Sequence, residues 1–217
     1  MSQPASLVVL ISGSGSNLQA IIDQCADKHI NASICRVISN KADVKGLARA
    51  EAAGITTQVI DHTQYADRET FDAALIEVID QCKPDLVVLA GFMRILTEGF
   101  VTHFKGRLIN IHPSLLPKYQ GLNTHQRAID AGDSEAGASV HFVTEELDGG
   151  PVIAQAKVPV EANDTAETLA KRVLTVEHGI FPVVIGWFAD KRLQLDNNHI
   201  VFDQQALSNP IQWPLAN

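Results

Sequence analysis

The sequence predicts a doubly wound α/β fold with a mostly parallel central sheet and an antiparallel C-terminal portion. Through the first 112 residues, short runs rich in Val, Leu and Ile alternate with amphipathic helical stretches. These runs are apolar along their whole length, which is typical of parallel strands that helices cover on both faces. Further on, two strand-like runs are separated by only a short turn, which favours an antiparallel return.

The first half contains five predicted strands and four predicted helices. The strands are residues 7–12, 33–39, 56–60, 85–90 and 107–111. The helices are expected at residues 17–27, at 44–53, around the stripe Phe71, Leu75, Val78, Ile79 and Cys82, and near 97–104. The alternation of strand and helix is what the crossover connections of a parallel sheet require.

The second half is expected to hold two antiparallel strands, a long helix and a terminal hairpin. The strands are residues 138–143 and 151–160, and RLQL and HIVF flank DNN in a hairpin at 192–203. Asp164 is a good N-cap for a helix that runs toward Trp187, with a break or kink at Pro182. We expect one domain over residues 1–217, with halves at about 6–112 and 113–190.

Composition and charge argue against several classes of protein. The 217 residues are 46% hydrophobic and 19% charged, as in an ordinary globular domain. A net charge of −8 argues against broad binding to nucleic acid. We expect no membrane span and no secretory signal, and therefore a cytoplasmic protein. The sequence does not decide between a monomer and a homodimer. Cys25, Cys35 and Cys82 lack CxxC spacing and are expected to be buried thiols.

A glycine-rich loop follows the first strand, in SGSGSNLQA at residues 12–20. Gly13 and Gly15 let the backbone approach a ligand closely, and the free N–H groups of the following helix suit an anion such as phosphate. The nicotinamide fingerprint is absent because Leu18 stands at its third glycine position. Taken alone, the loop is equally compatible with a tight turn capped by serine.

Two polar side chains interrupt the fifth predicted strand. Asn110 and His112 project to the same side of an extended chain, at the carboxyl edge where open α/β sheets bind ligands. Asp148 precedes two glycines, whose turn either aims its carboxylate inward or leaves it exposed. Each residue alone is also compatible with an ordinary hydrogen-bonding role. His112, His125 and His141 lack the spacing of a metal site, so no metal is expected.

Six segments together resemble one enzyme family. They are ISGSGSNLQAII, SNKAD, VVLAGFMRIL, NIHPSLLPKY, SVHFVTEELDGGPVI and TVEHGIFP, in this order between about residues 7 and 190. The combination is similar to the phosphoribosylglycinamide formyltransferases, within the folate formyltransferase and hydrolase superfamily that HPSLLP marks. The resemblance implies formyl transfer from 10-formyltetrahydrofolate, as co-substrate, to the amine of glycinamide ribonucleotide in purine biosynthesis.

The resemblance also implies roles for particular residues. Asn110, His112 and Asp148 match the catalytic trio, which stabilises the formyl oxyanion and supplies an acid. Gln120 and Asn123 depart from the family pattern, in which proline and histidine are usual, so the geometry of that loop is open. The implied ribonucleotide contacts are Gly15, Ser16, Asn17 and Glu177, and the implied folate contacts are Arg68, Met93, Arg94, Ile95, Leu96, Val143, Thr144, Glu145, Glu146 and Leu147.

Three other functions remain open. The first two are methionyl-tRNA formyltransferase, which normally adds a basic C-terminal domain, and formyltetrahydrofolate hydrolase, which normally adds an N-terminal regulatory domain. We expect room for neither domain in a chain of 217 residues with a net charge of −8. The third is a non-catalytic module that binds a nucleotide phosphate through GSGSN alone. An assay of folate release with and without an acceptor separates these functions.

Overall fold

An eight-stranded mixed sheet forms the centre of the computed structural model, which describes residues 3–214. The strands of the chain are β1 (Ala5–Ile11), β2 (Ala32–Ser39), β3 (Thr57–Val59), β4 (Leu86–Leu89), β5 (Leu108–His112), β6 (Glu135–Phe142), β7 (Val152–Pro159), β8 (Leu193–Asp196), β9 (His199–Phe202), β10 (Gln205–Ala206) and β11 (Ile211–Trp213). The main sheet has the order β11-β7-β6-β5-β4-β1-β2-β3, and β8 to β10 form a separate sheet. Strands β1 to β5 are parallel, whereas β6 is antiparallel to both of its neighbours. The predicted fold class is therefore confirmed.

Helices pack on both faces of the main sheet. They are α1 (Ser16–Ala26), α2 (Lys45–Ala52), α3 (Arg68–Asp80), α4 (Glu98–His103), α5 (Thr124–Asp130) and α6 (Ala166–Ala189). Strand β1 illustrates why the strand sequences are wholly apolar. Leu7, Val9 and Ile11 belong to the core shared with α1 and α6, while Val8 and Leu10 belong to the core shared with α3 and α4. Both faces of the strand are buried, so neither alternate position is polar.

The carboxyl ends of β1, β4 and β5 meet at one edge of the sheet. Because β4 lies between the other two, the ends of β1 and β5 are about 10 Å apart. Ser12 links three segments at this edge: its N–H donates to the Gly91 carbonyl (3.1 Å), its hydroxyl donates to Asn40 Oδ1 (2.6 Å) and the same hydroxyl accepts from the Met93 N–H (2.8 Å). These bonds hold the chain after β1, β2 and β4 in fixed relative positions.

Helix α6 differs from the prediction at its start, and it does not break at Pro182. Its N-cap is Thr165 rather than Asp164, because Thr165 and Thr168 bond each other's backbone N–H through their hydroxyls. Asp164 instead binds Arg172 through both carboxylate oxygens, at 2.6 and 2.9 Å. The helix continues through Pro182, since core packing around this residue outweighs the roughly 3 kcal/mol that proline costs inside a helix.

Four short elements escape the sequence prediction, among them a 3-10 helix at His62–Gln64, whereas the β8–β9 hairpin is confirmed. Helix α5 follows Asn123, whose φ of 59° begins the turn, and β10 extends the small sheet. Strand β11 pairs in parallel with β7 and brings Trp213 against Gly179 of α6. Elements this short depend on tertiary contacts for their stability, so local sequence carries little signal for them.

The expectation of three free thiols is wrong for two of the cysteines. Cys35 in β2 and Cys82 after α3 form a disulfide, with their Cα atoms 6.2 Å apart. They are 47 positions apart in sequence, and only the packing of α3 beside β2 brings them together. Cys25 is a free, half-buried thiol, and burial raises its pKa to about 11.

Helix α6 also has the length and composition of a membrane-crossing segment, although the sequence predicts no membrane span. Among residues 3–214 it is the one helix of this kind, and over half of its most apolar window is buried inside the fold. It packs against β6, β7 and α1. A central helix that is apolar on most sides meets the same criteria, so composition alone is weak evidence for a membrane span.

Two helical glycines lead to opposite expectations for stability. A Cβ at Gly179 would lie 2.7 Å from Cζ2 of Trp213, so Gly179→Ala should lower the free energy of unfolding by about 1–3 kcal/mol. A Cβ at Gly99 would meet only Thr97 Oγ1, at 4.0 Å, so Gly99→Ala should raise stability by up to about 1 kcal/mol. Urea denaturation measures both, and equal stabilisation would contradict the packing of Trp213 on α6.

Candidate active site

The loop after β1 turns at Gly15, which precedes α1 with a φ of 68°. A Cβ at this position would lie 2.5 Å from Cα of Gly46, so conformation and close packing both require glycine. The first helical hydrogen bond runs from the Gln19 N–H to the Gly15 carbonyl, at 2.9 Å. The N–H groups of Ser16 and Asn17 therefore have no partner within the helix and form a potential anion site.

Helix α2 holds the carbonyl groups of the same loop. The Gly46 N–H donates to the Gly13 carbonyl at 3.0 Å, and Arg49 Nε donates to the Ser14 carbonyl at 2.9 Å. Arg49 Nη1 also donates to Gln19 Oε1 at 3.2 Å. The Gly13 and Ser14 carbonyls of the loop are therefore turned toward α2. Sequence reasoning missed Arg49 because it lies 35 positions from Ser14.

Asn17 and Glu177 form a buried pair beside this loop. Asn17 Nδ2 donates to Glu177 Oε2 at 2.6 Å, and the residues are 9% and 7% exposed. Burial raises the pKa of Glu177 above its ordinary value, whereas the hydrogen bond from Asn17 acts in the opposite direction. Asn17 Oδ1 is buried without a hydrogen-bond partner among the described residues. The fold thus joins two predicted site residues that are 160 positions apart.

Asp148 lies between two imidazole rings at the end of β5. Its Oδ2 is 3.4 Å from His112 Nδ1, and its Oδ1 is 3.7 Å from His141 Nε2. The carboxylate also accepts the Gly121 N–H at 2.9 Å, and Asp148 has a φ of 50°. Its side chain is only 11% exposed, so of the two alternatives for this turn the inward one is correct.

His141 lies between Asn110 and this carboxylate and was missed as a site residue. It pairs with Asn110 across β5 and β6, and Asn110 Nδ2 lies 3.1 Å from its Nε2. Its Nδ1 is 2.9 Å from the Phe142 carbonyl, which can only accept, so the ring carries its proton there. Burial lowers the pKa of His141, and the nearby His112 ring lowers it further. The hydrogen bond to Phe142 and the charge of Asp148 raise this pKa and so oppose the effect of burial. The neutral Nε2 therefore accepts a hydrogen bond from Asn110.

Buried polar groups anchor the PSLLP segment that follows His112. The Ser139 hydroxyl donates to the Ser114 carbonyl at 2.7 Å and accepts from the Leu116 N–H at 3.0 Å. Gln155 Nε2 donates to the Leu116 carbonyl at 2.8 Å. His112 Nε2 then donates to the Tyr119 carbonyl at 2.9 Å. Both ring nitrogens of His112 therefore face protein acceptors.

The segments expected to contact folate flank this cluster. The first segment runs from Met93 to Leu96. Its start is held by Ser12, whose hydroxyl accepts from the Met93 N–H, and its end is held by Asp72, whose Oδ2 accepts from the Thr97 N–H at 2.6 Å. Burial raises the pKa of Asp72, while its bonds to Thr97 and the charge of Arg68 oppose this. Arg68 is exposed at the start of α3, close enough to act on Asp72. The second segment follows β6 and begins where the Val143 N–H donates to the Leu108 carbonyl, at 3.0 Å.

Three of the five large apolar side chains exposed in residues 3–214 belong to these two segments. They are Met93, Ile95 and Leu147, which are 61%, 55% and 50% exposed. Arg94 Nε is buried without a partner in the same part of the structure. Exposed apolar side chains beside an unsatisfied polar atom are typical of a binding surface. Across residues 3–214, no group of three or more His, Cys, Asp or Glu side chains is arranged to hold a metal.

A mixed sheet with a glycine-rich loop and an HPSLLP segment at one edge defines a formyltransferase-like α/β enzyme. The chain belongs to the formyl transferase family, whose model matches residues 5–185. It is 57% identical over 202 residues to the phosphoribosylglycinamide formyltransferase of Escherichia coli strain K12, covering 93% of this chain and 95% of that protein. The enzyme of the same name from Haemophilus influenzae is 49% identical, with the same coverage.

Solved structures agree with these sequence comparisons. The phosphoribosylglycinamide formyltransferase of Coxiella burnetii, solved with CHES, superposes with a TM-score of 0.93 at 50% identity, covering 97% of this chain and all of that one. Glycinamide ribonucleotide transformylase 1 of Symbiobacterium toebii superposes with a TM-score of 0.90 at 44% identity, covering 93% and 95%. The fold and the family therefore rest on both sequence and structure.

The raised pKa of Glu177 predicts a specific pH dependence of stability. The folded carboxyl group holds its proton more tightly than the unfolded one, so its contribution is complete below about pH 4.5 and is lost as the pH rises through the raised value. As the pH rises from 5 to 8, the free energy of unfolding should therefore fall less in the Glu177→Gln variant than in the wild-type chain. Urea denaturation at several pH values measures this, with Glu135→Gln at an exposed position as control. Parallel stability curves for all three proteins would contradict the burial effect.

Proposed function

We propose that this chain transfers the formyl group of 10-formyltetrahydrofolate to the amine of glycinamide ribonucleotide, a step of purine biosynthesis. The observation that carries the proposal is the Asp148 carboxylate, which lies 3.4 Å from the ring of His112 and 3.7 Å from that of His141. Asn110 completes the cluster, at the same sheet edge as the glycine-rich loop. The names of the E. coli and C. burnetii relatives support the same reaction.

The ribonucleotide is assigned to the loop after β1. The backbone of Gly15, Ser16 and Asn17 and the N-terminus of α1 suit a phosphate group, and Arg49 adds positive charge. The carboxyl group of Glu177 can accept hydrogen bonds from the ribonucleotide beside Asn17. The roughly 10 Å between the ends of β1 and β5 is a span that ribose and glycinamide can bridge. The amine then reaches the Asn110 cluster.

The chemistry requires donors at the formyl oxygen. Attack of the amine on the formyl carbon develops negative charge on that oxygen. One N–H of the Asn110 amide donates to His141, which fixes the amide plane and leaves the second N–H for the oxyanion. A protonated His112 adds positive charge, with Asp148 as its counter-ion at 3.4 Å. These are interactions that strengthen in the transition state, as catalysis requires.

Two proton transfers complete the reaction. The neutral amine attacks, so its nitrogen becomes an ammonium group in the adduct and passes a proton to water, and N10 of the folate gains a proton from the acid when its bond to the formyl carbon breaks. His112 is the proposed acid. The Nε2 of His112 is bonded to the Tyr119 carbonyl and its Nδ1 faces Asp148. A proton from His112 therefore reaches the substrates through Asp148 or a water molecule, or directly once the Nε2–Tyr119 hydrogen bond has opened. No covalent intermediate with the enzyme is needed.

The folate co-substrate is assigned to two segments beside the cluster. Exposed Met93, Ile95 and Leu147 provide an apolar surface for the pterin. Arg68 is suited to pair with a carboxylate of the folate tail. The remaining residues of these segments, assigned with them as the pterin wall, are Arg94, Leu96, Val143, Thr144, Glu145 and Glu146.

A folate-release assay tests the activity itself. The purified chain, given 10-formyltetrahydrofolate and glycinamide ribonucleotide, should release tetrahydrofolate in equal amount to formylated ribonucleotide. Leaving out the ribonucleotide should stop the release. Release without an acceptor would indicate a hydrolase, and ribonucleotide binding without release would indicate a binding module.

Substitutions of Asn110 and His112 should lower turnover without a matching loss of binding. Asn110→Ala removes an oxyanion donor and His112→Ala removes the acid, so each should reduce kcat by roughly 10²–10³-fold or more. Asp148→Asn should also reduce kcat, because it removes the counter-ion of His112. Steady-state kinetics and calorimetric titration with the ribonucleotide measure the two effects. A loss of tenfold or less in either alanine variant would refute that assignment.

Gly13 and Gly15 separate ligand binding from folding. A Cβ at Gly13 meets no protein atom within 4 Å, so Gly13→Ala should leave stability nearly unchanged and weaken ribonucleotide binding by obstructing the loop. Gly15→Val is strained by its φ of 68° and by Gly46, and should destabilise the fold by roughly 2 kcal/mol or more. Thermal unfolding and calorimetry distinguish the two. Unchanged ribonucleotide affinity in the Gly13 variant would place the phosphate elsewhere.

A further inference from the structure

The segment 119–123, here called the bracket loop, holds His112 and Asp148 at once. The Tyr119 carbonyl accepts from His112 Nε2 at 2.9 Å. The Gly121 N–H donates to Asp148 Oδ2 at 2.9 Å, and Gln120 Nε2 donates to the Asp148 carbonyl at 3.3 Å. Two proposed catalytic side chains therefore depend on the placement of one short loop.

The bracket loop has an unfavourable backbone conformation. Tyr119 and Asn123 both have a φ of 59°, and Gly121 has a φ of 79°. Left-handed conformations cost non-glycine residues roughly 1 kcal/mol or more each. A loop of this kind keeps its shape only if neighbouring groups fasten it.

Arg127 on α5 supplies most of this support, beside Asp133, whose Oδ2 accepts from the Tyr119 hydroxyl at 2.8 Å. Arg127 Nη1 donates to the Gln120 carbonyl at 2.7 Å and to the Leu122 carbonyl at 3.3 Å. Its guanidinium carbon lies 5.1 Å from the centroid of the Tyr119 ring, within the range of a cation–π contact. One side chain thus contacts three residues of the bracket loop, on both sides of Gly121.

We propose that Arg127 is a positioning residue, which keeps the bracket loop in the shape that orients His112 and Asp148. This inference rests on the proposed function, because it assumes that those two residues carry the chemistry. Within residues 3–214, the hydrogen bonds and the ring contact of the Arg127 side chain all go to the bracket loop, so it should act on turnover through His112 and Asp148. A displacement of about 1 Å in such groups can reduce a rate by as much as 10²-fold.

Arg127→Ala tests the proposal, with Arg192→Ala as a matched control. Arg192 is also exposed, binds Asp203 through two nitrogens and stacks 4.8 Å from the Phe202 ring, but it lies in the terminal hairpin. Arg127→Ala should lower kcat about 5- to 50-fold, with KM for glycinamide ribonucleotide within about twofold. Added guanidinium at a non-denaturing concentration should restore part of kcat, and Arg127→Lys should be intermediate. Arg192→Ala should keep kcat and show no response to guanidinium.

The outcomes separate the inference from the proposed function. If His112→Ala abolishes turnover while Arg127→Ala keeps kcat within twofold, the positioning role is wrong and the proposed function stands. If neither substitution affects turnover, the catalytic assignment itself is wrong. If Arg127→Ala does not fold, Arg127→Lys decides, because it keeps the positive charge but loses the planar fork. Wild-type kcat in the lysine variant would then overturn the proposal.

Discussion

The antiparallel pairing of β6 with β5 is the constraint on which the site depends. Its register places His141 opposite Asn110 and Ser139 opposite His112. Because His141 lies opposite Asn110, its ring can bond and fix the Asn110 amide. Because Ser139 lies opposite His112, its hydroxyl can hold the segment that leaves β5. Because neighbours alternate between the two faces of a sheet, a shift of one residue would separate both pairs.

Buried hydrogen bonds give this part of the structure its rigidity. Ser139 and Gln155 are 0% and 9% exposed, and between them they bond the Ser114 and Leu116 backbone. Removing one partner from such a network costs about 1–3 kcal/mol, because the remaining group stays buried and unsatisfied. A connection that would otherwise be mobile is therefore held firmly beside His112.

The two ends of the site are built differently. The loop after β1 offers backbone N–H groups, and the contact between Gly15 and Gly46 fixes its shape, so little side-chain chemistry is needed there. The surface around Met93 and Leu147 is instead made of exposed apolar side chains. An anionic group suits the first, and an apolar group suits the second. The Asn110 cluster lies at the same sheet edge as both.

The sequence by itself determined the α/β class and most of the strands, because strands buried on both faces must be apolar throughout. It also singled out Asn110 and His112, since polar residues in such a strand stand out. It could not find His141, Arg49 or Arg127, which become partners only through strand register or helix packing. The Cys35–Cys82 bond and the unbroken helix at Pro182 were likewise decided by tertiary structure. Local patterns report what each segment buries, whereas contacts between distant segments exist only after the chain has folded.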